Sequence, residues 1–241
     1  MKQQSELKPE STKGFIWLAL AGLATAVLSQ LPFGSTILYP FSLLGTWFHE
    51  MGHGLTCLVL GGSFKSLEIF ANGSGVAHNS YATLFLGNRV GQALISSGGL
   101  LGPSFVGAWL IISGRTQKMS KITLIILSFA MIASAFIWIR TGIGFVMILS
   151  IGIVSALISI KAPQGFVRFF VQFIGVQACI SAFQTWDYLF MGKAVINGQE
   201  FTSDTGKIAE KLWLPYWFWG ILIAIIAILV FLKSLDIAFR K

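Results

Sequence analysis

The sequence is short of charge. Only 11% of its 241 residues are Asp, Glu, Lys or Arg, against about a quarter in a water-soluble globular domain. That shortage excludes an ordinary soluble domain and places the chain in the membrane class. Polar stretches are scarce as well: the longest hydrophilic connections lie near 61–91 and 191–212, too short for a soluble domain. Cysteine is nearly absent. Cys57 and Cys179 each fall inside an apolar segment, which excludes a disulfide framework and reads as small packing residues. The net charge of +8 comes without a basic stripe interleaved with aromatics, so no nucleic-acid partner is expected. The cations sit at helix ends and in loops, where they anchor a protein in a lipid bilayer. Histidine is scarce too, with three in the chain beside nine carboxylates.

What is present is long apolar runs. Spanning a bilayer takes about 20 mostly apolar residues, and seven segments qualify or nearly so: 15–31, 42–60, 92–113, 122–139, 142–160, 166–190 and 213–233. The expectation is an all-α integral membrane protein with six to seven transmembrane helices. It is read as one polytopic membrane domain over 1–241, with a polar tail at 1–14 and polar loops at 61–91 and 191–212. The first apolar run is long enough to span, so it reads as a retained helix and not a cleaved signal. After the second segment, Phe64–Phe70 is β-prone, Asn72-Gly73 is a turn dipeptide and Gly75–His78 follows. That pattern predicts a short β-hairpin. In the third segment the small residues Ser96, Ser97, Gly98, Gly99 and Gly102 let another helix approach closely. Counted loop by loop, the cations divide almost evenly between the two membrane faces, so the positive-inside rule does not orient the chain.

Two of the three histidines stand in His49-Glu50-Met51-Gly52-His53, inside the second segment. Residues four apart share a helix face, so both imidazoles can aim at one metal ion. Glu50 sits beside the first of them, within reach of a water held by that metal. Zinc lowers the pKa of such a water to about 7, and the glutamate takes its proton as the water attacks a carbonyl. The competing reading is a pair of histidines bonded to backbone carbonyls. It would bury two histidines and a glutamate in a membrane helix without function, and ionisable groups there are costly.

A catalytic zinc usually takes three protein ligands. Apart from Glu50, only Asp187 among the carboxylates lies within a hydrophobic segment and away from the C-terminal tail. Gln177, Ser181 and Gln184 precede it at helical spacing and form a polar stripe. If every segment crosses fully, the second and sixth run in the same direction, and His53 and Asp187 come to similar depths. Asp187 is therefore the expected third ligand, with Asp204 in reserve on a loop that can fold back. Asp187 also reads as a helix-end residue in the interface, and His78 as a polar hairpin residue.

These residues resemble the membrane-embedded M50 metallopeptidases, the site-2-protease group, and in particular its small M50B-like branch. The likeness rests on His49-Glu50-Met51-Gly52-His53-Gly54 followed by Gly61-Gly62, the hairpin after that helix, Gly98-Gly99-x-x-Gly102-Pro103, Asp187, and Ser203-Asp204 before the last helix. Where the site-2 proteases carry a Leu-Asp-Gly element, this chain has Trp186-Asp187-Tyr188. The resemblance implies a Zn²⁺-dependent protease that cuts transmembrane or membrane-proximal proteins, with Glu50 catalytic and the active-site side facing the cytosol. It also implies that the hairpin presents an extended substrate by strand addition, which makes Phe64, Asn72, Gly73 and His78 candidate substrate contacts. The expected location is a bacterial cytoplasmic membrane. Two other readings use the same residues: a zinc-binding membrane scaffold that does not cut, and a transporter of metal ions or another small solute. Absence of a visible inverted repeat weighs against the transporter.

Overall fold

The structure, a computed structural model, describes residues 8–184, 186–196 and 199–240; the side chains of 8–13, 183–187 and 194–199 also lie outside what it describes. Helices α1 (Lys8–Leu28) and α2 (Gly34–Val59) lead into a hairpin of β1 (Ser63–Ile69) and β2 (Gly75–Ser80). Then come α3 (Asn88–Ser113), α4 (Gln117–Ile137), α5 (Gly142–Lys161) and α6 (Gln164–Gln184). A single turn, α7 (Trp186–Leu189), precedes a second hairpin of β3 (Lys193–Ile196) and β4 (Gln199–Thr202). The short α8 (Asp204–Leu212) and the long α9 (Tyr216–Phe239) close the chain.

The architecture is all-α with two small hairpins, as expected for a membrane protein. Helices α3, α4, α5, α6 and α9 are long and apolar enough to cross a membrane, and α1 contributes a shorter apolar stretch, Gly14–Leu28. Helix α2 is long enough but carries the polar motif. In the apolar windows of α5 and α9 only 28% of residues are buried. Exposed Ile, Leu and Phe side chains on such helices suit lipid, where they cost nothing.

The sixth segment, expected over 166–190, is helical over Gln164–Gln184 and Trp186–Leu189, with residue 185 outside the described residues. One stretch departs from the sequence reading. The stretch 191–212, expected as a plain polar loop, holds β3, β4 and α8. Asn197-Gly198, a turn dipeptide that signals a hairpin, stands between those strands in sequence but lies outside the described residues. Ser203 is a helix N-cap whose Oγ accepts from the Gly206 N–H at 3.0 Å. Of the polar N-terminal tail, residues 1–7 lie outside the described residues and α1 already begins at Lys8.

The first hairpin folds back along α2. Its turn reaches the early part of that helix, where the Tyr39 hydroxyl donates to the Ala71 carbonyl at 2.8 Å. Phe64, Leu67 and Ile69 point into the main core with Leu43, Trp47 and Met51 of α2, Leu124 and Met131 of α4 and Ile148 of α5. The outer edge of β1 is covered by the α4–α5 turn: the Leu67 N–H donates to Trp138 at 2.8 Å, and the Arg140 N–H to Leu67 at 2.9 Å. The sheet has two strands only, so among the described residues no strand pairs with the outer edge of β2.

Helices α2 and α3 touch through glycine. A Cβ on Gly52 would stand 2.3 Å from the Gly98 carbonyl oxygen, and one on Gly98 would stand 2.1 Å from Thr56 Oγ1. Glycine costs a helix about 1 kcal/mol against alanine, but here it permits backbone-to-backbone contact beside the histidine motif.

Candidate metal centre

His49 and His53 stand one turn apart on α2, and their Nε2 atoms are 3.0 Å apart. Asp204, the first residue of α8, brings its Oδ2 to 3.1 Å from His49 Nε2 and to 3.1 Å from His53 Nε2. Three ligand atoms thus form a nearly equilateral triangle, and among the described residues this is the group of His, Cys and carboxylate side chains able to hold a metal ion. A tetrahedral zinc with bonds of about 2.0–2.1 Å sets its ligands roughly 3.3 Å apart, so the triangle needs to open only slightly.

Donor chemistry points the same way. His53 Nδ1 lies 2.8 Å from the Ile95 carbonyl oxygen. A carbonyl only accepts, so that nitrogen carries the proton and donates. In the neutral ring Nε2 is then a bare lone pair, facing a carboxylate oxygen that is also an acceptor. The contact requires a cation between them, either a proton on the imidazole or a metal ion. Fixing a ligating histidine through its other nitrogen is how proteins orient such ligands.

The neighbours make this geometry obligatory. A Cβ on Gly99 would fall 2.2 Å from both His53 Cε1 and Nε2, so only glycine at that place in α3 leaves the ring where it is. Asp204 is 1% exposed and is gripped from three sides. The Tyr188 hydroxyl donates to Oδ2 at 3.1 Å and accepts from the Asp204 N–H at 3.2 Å. Lys207 Nζ donates to Oδ1 at 3.3 Å. Burying a carboxylate beside two imidazoles without such partners would be costly.

Glu50 is buried. It lies under the start of β2, where a Cβ on Gly75 would come within 3.0 Å of its Oε1. A cavity of about 700 Å³ opens over this floor, within the size range of ligand sites. His49, Glu50, His53 and Asp204 line it, with Gly73–Ala77 of the first hairpin on one wall and Lys207, Glu210 and Lys211 of α8 on another.

The structure therefore brings together His49, Glu50, His53 and Asp204. The backbone of Asp187 belongs to the single turn α7, but its side chain lies outside the described residues. Gly73 lines the cavity. Phe64 is buried and stacks on Trp138, ring centroids 4.9 Å apart. Asn72 Oδ1 accepts from the Ser74 N–H and hydroxyl within its own turn, at 3.0 and 2.7 Å. His78 is half exposed beside Glu68, 3.7 Å away. Sequence reasoning missed Tyr188, Gly75 and Lys207. Tyr188 gave a signal, as a hydroxyl-bearing residue next to the favoured carboxylate.

The family model described as Peptidase M50B-like matches residues 17–234. The chain belongs to the peptidase M50B-like family. The match takes in α2, the hairpin, the glycine contact of α3 and Asp204. Searches of curated proteins and of solved structures give no match. An M50B-like chain is a membrane metallopeptidase by family, and its His–His–Asp triangle has the donor set such a peptidase needs.

Proposed function

We propose that this M50B-like protein is a zinc-dependent intramembrane endopeptidase, with His49, His53 and Asp204 as metal ligands and Glu50 as general base. The observation that carries the reading is the triangle of Nε2, Nε2 and Oδ2 beside a buried glutamate at the floor of an open cavity. Zinc bound there would supply Lewis acidity and a water that ionises near neutral pH. The protein's own part is positional. Ile95 and Gly99 fix the ring of His53, Tyr188 and Lys207 fix Asp204, and Glu50 receives the proton of the attacking water. The open edge of β2 offers backbone N–H and C=O groups to an extended peptide, the usual mode of strand addition. A peptide bond within a helix has its carbonyl engaged, so the substrate segment must unwind, and the strand edge replaces the hydrogen bonds it gives up. Substrates are then transmembrane or membrane-proximal proteins, and we place the enzyme in a bacterial cytoplasmic membrane.

The test is zinc per chain in detergent-purified protein, followed by turnover. Wild type should hold about one zinc, as catalytic sites of this kind do. His53→Ala and Asp204→Ala should lose it, and Asp187→Ala should keep it. Loss in Asp187→Ala with retention in Asp204→Ala would move the third ligand to Asp187. A wild type that takes up no zinc after repletion would overturn the reading.

A further inference from the structure

Between Glu68 and Asp187 the sequence holds no carboxylate, yet it holds Arg115, Lys118, Lys121, Lys161 and Arg168. The fold gathers these five at one end of the bundle. Arg115 lies in the α3–α4 turn, Lys118 and Lys121 lie in the first turns of α4, Lys161 ends α5, and Arg168 lies near the start of α6. The guanidinium of Arg168 clasps the turn, with Nε donating to the Gly114 carbonyl at 3.1 Å and a terminal nitrogen to Arg115 at 3.3 Å. Arg115, Lys118, Lys121 and Lys161 are exposed, and among the described residues none forms an ion pair. Cations at helix ends are expected of any membrane protein. Here Lys121 also lines a built cleft, and Lys161 stands in sequence between two residues that line it, Ile160 and Ala162.

That cleft holds about 80 Å³ and is lined by Gln117, Lys121, Ser159, Gln164 and their apolar neighbours Ile160 and Val167. A water occupies roughly 30 Å³ of liquid, so the space suits one phosphate group and little more. Below it, toward the membrane centre, the outer faces of α4 and α5 expose Ile122, Ile125, Ile126 and Phe129 on one helix and Val154 and Leu157 on the other. A ligand matching both parts has a single anionic head and apolar tails. We propose that this end of the bundle is a binding site for an anionic phospholipid, its phosphate in the cleft against Lys121 and Lys161 and its acyl chains along α4 and α5. Basic pockets between transmembrane helices hold anionic headgroups in this way. The metal centre shares none of these residues, so the proposal stands apart from the catalytic reading.

Lipid retention can be counted by native mass spectrometry on the detergent-purified full chain. The probes are a phosphatidylglycerol and a phosphatidylcholine with the same acyl chains, and inorganic phosphate as competitor. Wild type should retain the anionic lipid on the order of tenfold more tightly than the zwitterionic one. Lys121→Gln combined with Lys161→Gln should abolish that preference, whereas Lys193→Gln, on an exposed strand elsewhere, should leave it intact. Both lysines of the double variant are exposed, and its melting point in detergent verifies that it folds. Equal retention of the two lipids would overturn the proposal, as would a preference surviving in the double variant. Displacement of the anionic lipid by millimolar inorganic phosphate would assign the cleft to a free anion and overturn it as well.

Discussion

Glu50 and Tyr188 do different work at the same centre, and substitution separates them. Glu50→Gln keeps the shape and the three proposed ligands but removes the proposed base. It should retain zinc and lose at least about a hundredfold in turnover of any identified substrate, the usual contribution of a positioned general base. Cleavage at the wild-type rate would sink the mechanism. Tyr188→Phe removes one hydroxyl that holds both the Oδ2 and the N–H of Asp204. Partners of this kind typically contribute about 10–100-fold in metal affinity, so chelator competition should show a loss of that size. Unchanged affinity would mean that α8 alone orients the carboxylate. At this scale the sequence was legible where the chemistry is local. His49 and His53 share one helix face, and a spacing of four residues settles that. Asp204 and His53 are separated by 151 residues, and no local pattern chooses between Asp204 and Asp187. Depth counting favoured Asp187, whose side chain lies outside the described residues; Asp204 could be found only by folding the chain back on itself.

Helices α2 and α3 meet as a pair of glycine faces, and that contact sets the geometry of the centre. Gly99→Ala would press a methyl into the His53 ring, whereas a Cβ on Gly102 would meet its nearest atom, Gly52 Cα, at 3.2 Å. Overpacking of this kind costs about 1–3 kcal/mol. The expected outcome is that Gly99→Ala loses zinc and Gly102→Ala keeps most of it, read by metal analysis at matched purity. Equal loss in both would shift the role of the stripe from the histidine to the helix pair as a whole. The first hairpin could be read in advance because β-prone residues flank an Asn-Gly turn. The second has the same turn signal, but its strands are only four residues each, too short for alternation to stand out. Helix α8 was hidden for another reason. Its nine residues are mostly polar, and its one fully buried apolar side chain, Ile208, finds its neighbours on α3, α7 and α9.

For the molecule as a whole, the centre ties an early helix to a late one. A metal binds a histidine or carboxylate only through an atom that carries no proton, so protons compete with it for His49, His53 and Asp204. Metal occupancy should therefore fall as the solution is acidified. Zinc content after equilibration at graded pH checks this, and occupancy that rises on acidification would contradict it. A metal that binds only the folded state also stabilises it. At free zinc 100 to 1,000 times its dissociation constant the gain is about 3–4 kcal/mol, so chelation should lower the thermal midpoint of wild type and leave that of His53→Ala unmoved. The membrane class was legible from composition alone. The side of the membrane on which the centre opens was not, because the cations divide too evenly between the faces.

The long separation between His53 and Asp204 has a consequence for the life of the chain. Synthesis proceeds from the N-terminus, and early elements enter the bilayer before later ones exist. Helix α2 is then in place, with its two histidines and its glutamate, while α8 has yet to be made. A centre closed by Asp204 cannot hold its metal firmly during that interval. On the proposed ligand set, a growing chain can neither close its metal site nor cut until α8 has been made.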